Sequence, residues 1–335
     1  MTVSSKQGLP IRVVSVIPGE ESGSSMVFCR RINEVLESLG VDVHPFYLRS
    51  RTSPGRILAE RSRFRRLLAE VRPGIVHAQY GTMTSFFCVI STRRPKVITF
   101  RGSDLNPTPS LNPVSVLLKS WMSQLSAASA HASICVSEEL KQRLVMGRDK
   151  AVVLPSGVDT RIFRPMPIRE ARRKIGWNDA DPVVLFYGGR HPKVKRLDLA
   201  QAAMESVRRE LPQARFENMD GSLDPALIPV YMAASDCFLM TSDYEGSPTI
   251  VQESKACDLP VVSVPVGDVE DQLRGVRHCE IVQRDPALIG AALIRVLSRR
   301  ERSDGSSHIG DASLDRVGAR TLEIYRSVLA GESPR

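Results

Sequence analysis

Short apolar runs alternate with stretches of helical periodicity, and they do so in two series along one chain. In the first, IRVVSVI (11–17) lies between Pro10 and Pro18-Gly19, and MVFCRRINEVLESLG then carries apolar residues at helical spacing and stops at Gly40. VDVHPFYL, PGIVHAQYG, KVITFRGSD and SAHASICVSEELKQRL continue the pattern. Strands that are apolar throughout and each followed by a helix predict parallel sheets with helices on both faces. FRPMPIREARRKIGWNDADP (163–182), rich in Pro, Arg and Asp, interrupts the series and reads as the linker and the entry to a second domain. The alternation resumes with VVLFYGGR (183–190), ARFENMD, DCFLMTS, LPVVSVPVG and HCEIVQR, followed by a polar loop at 303–313 and the amphipathic LDRVGARTLEIYRSVL. The expectation is an α/β protein of two doubly wound, Rossmann-like domains facing each other across a cleft, with ligands at the carboxyl ends of the strands. The boundaries read as 1–165 and 166–311, with 312–335 a C-terminal helix packing back toward the first domain.

Charge separates the two halves. Residues 1–165 hold 23 basic and 12 acidic side chains, a balance of +11, whereas 166–335 hold 23 and 25, a balance of −2, and these add to the chain's +9. An anionic partner is therefore expected for the first half. Six arginines between Arg56 and Arg72 (Arg56, Arg61, Arg63, Arg65, Arg66, Arg72) surround a stripe of Ile57, Leu58, Phe64, Leu67, Leu68 and Val71. That pattern has two readings: a solvated arginine face, or a contact with an anionic membrane surface that holds a lipid-linked acceptor. Aromatic residues make up only 5% of the chain and no stacking motif is present, so no nucleic-acid partner is expected. The six cysteines form no C-x-x-C pair and read as reduced core thiols, and no histidine spacing suits zinc. MTVSSKQGLP lacks an apolar signal-peptide core, and no apolar run reaches the roughly 18 residues of a spanning helix, so a cytoplasmic location is expected.

The densest chemistry lies in the second half. YEGSPTIVQE places Glu245 just before a Gly246-Ser247-Pro248 turn and Glu253 on the helix expected to follow, with Ser247 as its N-cap and Pro248 at its first position. A helix N-terminus favours anions, and carboxylates beside it can accept two hydrogen bonds from neighbouring sugar or ribose hydroxyls. Strand VVLFYGG runs through Gly188-Gly189 to Arg190, with Lys195 five residues on. Two such cations can neutralise a diphosphate leaving group without a metal. No paired-aspartate element stands beside this segment, so no metal and no resident cofactor are expected.

GGRHPKVKRLD followed by YEGSPTIVQESKACDLPVVSVPVGD resembles the donor-binding half of retaining glycosyltransferases of family 4, which have the GT-B fold and a Glu-x7-Glu element. IRVVSVIPGEESGSS, RPGIVHAQYG, KVITFRGSD and VVLPSGVDTRIFRP resemble that family's first strand and glycine loop, two later strands, and interdomain segment. The likeness covers about residues 11–330. Two departures stand out: Asp258 where the family has a turn glycine, and Arg101 where many relatives have histidine. An arginine cannot act as a base.

The resemblance implies roles. Arg190 and Lys195 would bind the donor diphosphate, Glu245 the sugar hydroxyls and Glu253 the ribose. Gly189, Gly246, Ser247 and Thr249 would line the donor site, and Gly23 would approach the diphosphate. His77, Arg101 and Asp104 would lie on the acceptor side, though capping or core packing accounts for His77 and Asp104 equally well. The implied activity is transfer, with retention, of a hexosyl group from a UDP- or GDP-sugar to a glycan, lipid-linked or small-molecule acceptor, as in polysaccharide biosynthesis. A GT-B sugar-nucleotide epimerase and a non-catalytic sugar- or lipid-binding protein are the alternatives. A nicotinamide dehydrogenase is disfavoured, because the first loop reads GEESG rather than G-x-G-x-x-G.

Overall fold

The computed structural model describes residues 10–21, 26–50, 53–106, 112–189 and 192–333. The chain divides into two units, Met1–Ser156 with Leu314–Arg335, and Gly157–Ser313.

The first unit runs β1 (Arg12–Pro18), α1 (Val27–Ser38), β2 (Asp42–Leu48), α2 (Pro54–Val71), β3 (Ile75–Ala78), α3 (Thr82–Ser91), β4 (Lys96–Phe100), α4 (Pro113–Ser129), β5 (Ala132–Cys135), α5 (Glu138–Gln142) and β6 (Ala151–Val153). The strands form one parallel sheet in the order β2-β1-β3-β4-β5-β6. The chain leaves β1 toward one edge and returns beside it at β3, so the topological switch lies between β1 and β3. One layer of helices packs Phe64, Phe87, Cys88, Ala127, Leu140 and Leu144 on the sheet. At its heart the rings of Phe46, Phe64 and Phe87 lie 4.9–6.1 Å apart. The opposite layer is α1, with Ile32, Val35 and Leu36, and the last helix of the chain (Leu314–Ala330), with Val317 and Tyr325. That last helix meets α1 so closely that a Cβ at Gly318 would lie 2.3 Å from Val35 Cγ1.

The second unit runs α6 (Ile168–Ile175), β7 (Val183–Tyr187), α7 (Leu197–Glu210), β8 (Arg215–Met219), α8 (Ile228–Ala234), β9 (Cys237–Met240), α9 (Thr249–Ala256), β10 (Val261–Ser263), α10 (Val269–Leu273), β11 (Glu280–Ile281) and α11 (Pro286–Arg299). Its parallel sheet has the order β11-β10-β9-β7-β8, with the switch between β7 and β9. Both units are thus doubly wound α/β sheets, as the alternation predicts.

Three local readings differ from the structure. The stretch 163–182, read as linker and domain entry, contains α6 of the second unit and buries Arg172, which its composition does not announce. The polar stretch 303–313 forms two 3-10 turns, Gly305–His308 and Gly310–Ala312. The α2 stripe packs through Phe64, Leu68 and Val71, while Leu58 points outward, 66% exposed.

Candidate functional site

The switch point of the second unit gathers two sequence segments about fifty residues apart. β7 ends at Gly188-Gly189, where the backbone turns sharply, with Gly189 at φ +51°. Gly188 N–H donates to Asn218 Oδ1 at 3.1 Å, and a Cβ at Gly188 would sit 2.8 Å from that oxygen, which explains the glycine. Past β9, Thr241 Oγ1 donates to the carbonyls of Lys195 (2.7 Å) and Arg196 (3.1 Å), and Asp243 N–H donates to the Val194 carbonyl at 3.0 Å. These bonds dock the Lys195 turn on the end of β9. Lys195 Nζ then forms an ion pair with Glu245, both side chains less than one-fifth exposed, and lies 5.8 Å from the Tyr187 ring centroid. Lys195, Tyr187, Thr241, Ser242 and Ile250 line one small hollow.

Glu245, Gly246, Ser247 and Thr249 are half-buried in the loop leading into α9. The helix starts at Thr249, with Pro248 as its N-cap residue at φ −71°, ψ 109°, one position later than the sequence suggests. Ser247 does not cap it. Its hydroxyl bonds the Asp268 carboxylate and accepts from Gln272 Nε2 at 3.2 Å. Burial pushes the Asp268 carboxyl up to about 6, against the opposing bonds from Ser247 and Gln272. This network braces the loop from behind, and a Cβ at Gly267 (φ +54°) would meet the Gly246 carbonyl at 2.8 Å. Glu253 is half-buried on the second turn of α9. The first turn of α9 leaves N–H groups without helical partners, which suits an anion. Arg190 and Gly23 lie outside the described residues.

In the first unit the acceptor-side candidates surround the ends of β3 and β4. His77 is 2% exposed, and both its ring nitrogens are occupied, Nδ1 with Tyr325 Oη (2.6 Å) and Nε2 with Thr99 Oγ1 (2.7 Å). Burial, reinforced by the Arg101 charge, holds its pKa down to about 3, so the ring is neutral at physiological pH. Asp104 is fully buried and accepts from the backbone N–H groups of Arg101, Gly102 and Gly81, an arrangement that fixes the turn after β4. Burial raises its pKa and those N–H groups oppose the rise. Arg101 donates to the Gln79 carbonyl and Gln79 Oε1, both at 2.9 Å, and to Ser156 Oγ at 3.1 Å. Its guanidinium lies 4.2 Å from the Phe28 ring centroid. Its planar fork is thus held by three hydrogen bonds and a ring.

Sequence reasoning missed the residues that position others: Thr241, Asp268, Gln272, Gln79 and Ser156. Lone polar residues at loop positions carry no spacing signal. It also passed over one Asp-x-Asp, Asp179-Ala180-Asp181, which lies in the turn after α6. The Asp258 departure is explained. This residue takes φ +53°, where a glycine is easiest, and its carboxylate accepts from Ser306 N–H at 2.7 Å.

Comparison with known proteins gives this geometry a family. A model described as Glycosyltransferase Family 4 matches residues 23–162, and one described as Glycosyl transferases group 1 matches residues 218–299. The chain belongs to glycosyltransferase family 4. A Bacillus subtilis protein, TuaC, named for teichuronic acid biosynthesis, is 24% identical over 245 residues, 68% of this chain and 62% of the relative. A D-inositol 3-phosphate glycosyltransferase of Geodermatophilus obscurus is 29% identical over 212 residues, 52% of this chain and 47% of the relative. The chain thus spans about half the length of the curated relatives it matches. Among solved structures, a sucrose-phosphate synthase from Thermosynechococcus elongatus superposes with TM-score 0.78 at 16% identity, over 96% of this chain and all of the other. Anabaena HepE in complex with UDP and glucose gives 0.72 at 15% identity, over 95% of this chain and all of the other. At such identities the likeness carries the GT-B fold alone.

Proposed function

We propose that this chain transfers a glycosyl group from a nucleotide sugar, with retention of anomeric configuration, to a glycan, lipid-linked or small-molecule acceptor. One observation carries the reading: Lys195 and Glu245, from separate segments, meet at the switch point of the second unit, beside the N-terminus of α9. In the proposed mechanism Lys195, together with Arg190, stabilises charge on the departing diphosphate, and amides of α9 add to it. Glu245 accepts from sugar hydroxyls and Glu253 from the ribose. The first unit takes the acceptor. With both His77 ring nitrogens hydrogen-bonded inside the fold and its basicity lowered by burial, and with Arg101 a guanidinium, neither suits the role of base. The acceptor attacks from the leaving-group face and a donor phosphate oxygen takes its proton. The complexes of HepE with UDP and glucose support a nucleotide-sugar donor, UDP- or GDP-linked, and the names of the curated relatives support an acceptor in teichuronic acid or inositol phosphate chemistry.

Thermal shift against UDP, GDP and their sugars tests the donor site, since a nucleotide at a hundredfold excess over its dissociation constant adds about 2.7 kcal/mol. Absence of any shift at millimolar ligand would remove the reading. The same assay separates the two carboxylates. Glu253→Gln is expected to weaken UDP binding by about tenfold, the loss of one charge-assisted hydrogen bond. Glu245→Gln should leave UDP binding within about twofold and act on the sugar. Equal losses in both variants would merge the two roles.

Turnover is expected to persist in excess chelator, because the cations beside the donor site are side chains. Activity lost to EDTA and restored by magnesium or manganese would overturn that expectation. A GT-B epimerase is the second reading, since a UDP-N-acetylglucosamine 2-epimerase shares the fold, with TM-score 0.60 at 12% identity. Donor conversion without any acceptor would favour it.

A further inference from the structure

Helix α4 is built inside out. The face it turns to the sheet carries Ser123, Ser126 and Ala127, all buried. Ser123 accepts from Thr82 N–H and donates to the Asp104 carbonyl. The opposite face carries Val114, Leu117, Leu118 and Trp121, at spacings of three, four and seven, exposed by 76%, 64%, 59% and 61%. Helices of soluble domains bury their large apolar residues and expose the small polar ones. Four bulky residues on one outward stripe form a patch that calls for a partner.

The charge around the patch states the partner's sign. Between Glu70 and Glu138 the sequence holds one carboxylate, Asp104, which is fully buried. The same stretch holds Arg72, Arg93, Arg94 and Lys119 at least partly exposed, while Lys96 is buried and Arg101 is engaged by Gln79 and Ser156. α3 packs between α2 and α4, and Arg61 of α2 donates to the Ile90 carbonyl at the end of α3 at 2.7 Å. The layer therefore continues from the α4 patch through exposed Ile90 to α2, which exposes Leu58 and the cations Arg56, Arg65 and Arg66. Arg63 is engaged within the fold, donating to Glu60 and the Tyr47 carbonyl and lying over the Phe46 ring. The apolar stripe of α2 packs into the core, so α2 can offer charge but little apolar area. α4 supplies what α2 lacks.

We propose that α4 lies in the headgroup region of an anionic lipid bilayer, with Val114, Leu117, Leu118 and Trp121 entering the acyl boundary while arginines of α2 and α3's flank meet lipid phosphates. Among the described residues no helix is long and apolar enough to cross a membrane, and contact in the plane of the interface needs none. Tryptophan prefers that boundary. A second copy docked on the same face would bring one basic surface against another. The inference deepens the lipid-linked acceptor reading of the proposed function, and its test does not depend on transfer.

The chain has two tryptophans, so Trp177→Phe leaves Trp121 as the sole emitter. With phosphatidylglycerol-containing vesicles at low salt, its emission should shift to the blue and be quenched by brominated acyl chains; with phosphatidylcholine alone both effects should shrink. Leu117→Asp/Trp121→Asp in the full chain should weaken co-sedimentation at least ~10-fold. These side chains point outward, so the thermal shift with nucleotide should stay as in the wild type and report that the protein is folded. Wild-type indifference to anionic vesicles at low salt would overturn the proposal, as would unchanged binding by the double variant. A dimer in sedimentation that the double variant dissolves would assign the face to a second copy instead. Vesicle binding without any nucleotide response would leave this inference standing and remove the donor reading.

Discussion

Lys195→Ala is expected to lower turnover at least ~100-fold while the protein stays folded. The backbone of this residue is fixed by Thr241, whose hydroxyl donates to the Lys195 carbonyl at 2.7 Å, and that bond does not involve the side chain being removed. The ion pair with Glu245 is mostly enclosed, with less than one-fifth of either side chain exposed, so removing the ammonium costs stability as well. If Lys195 were only one half of a structural pair, alanine would lower stability and leave the rate of the folded protein nearly unchanged. If it stabilises the diphosphate, the loss falls on the step in which charge grows on the leaving group, and kcat drops far more than stability. Lys195→Arg should recover part of the rate, because the charge remains while the geometry of a compact ammonium is lost. Near-normal kcat in Lys195→Ala would exclude the clamp. Arg190→Ala is expected to behave alike, on the strength of its place after β7 in the sequence.

The pairing also changes how the carboxylate is read. Spacing in YEGSPTIVQE suggested that Glu245 waits for sugar hydroxyls, and nothing in that spacing said that it would meet Lys195. The meeting is a product of sheet order: β7 and β9 are neighbours although β8 lies between them in sequence, and Thr241 at the end of β9 docks the Lys195 turn. Strand existence was legible because an apolar run between turn residues leaves few alternatives. Strand order was not, because it depends on crossovers between distant segments. His77 illustrates the same limit. Its position at a strand end near the switch point suited a site residue, while its enclosure by Thr99 and Tyr325 depends on a helix 248 residues away. The outward stripe of α4 was hidden for a different reason. Helical periodicity reveals that apolar residues share a face but not which face meets the sheet, and the buried serines make the usual assumption fail.

The segment 163–182 carries the clearest case, and Arg172→Ala tests it. Clustered arginines, prolines and aspartates read as a linker and domain entry, and composition alone does not announce that Arg172 is 3% exposed in the second unit. Its guanidinium donates to the carbonyls of Ala234 (2.9 Å), Asn178 (3.1 Å) and Asp179 (2.6 Å), and pairs with Asp236 at 2.7 Å. Asp236 in turn accepts from Val183 N–H at 2.7 Å, so one side chain ties α6 and its following turn to the end of α8 and the start of β7. Burial raises the Asp236 pKa, and the Val183 bond and the Arg172 charge oppose that rise. Around it, Ala171, Ala233 and Ala234 pack with Met166, Ile175 and Trp177. Removing one partner of a buried pair leaves an uncompensated charge and orphaned carbonyls, and the expected loss is about 3–5 kcal/mol. Urea unfolding followed by Trp177 fluorescence measures it, since that ring packs edge-on to Tyr231 at 5.2 Å and reports on this corner. Arg172→Met combined with Asp236→Asn should lose less than Arg172→Ala, because no charge is then left buried alone. A loss below about 1 kcal/mol in Arg172→Ala, the range of an exposed ion pair, would return the segment to the role of a linker.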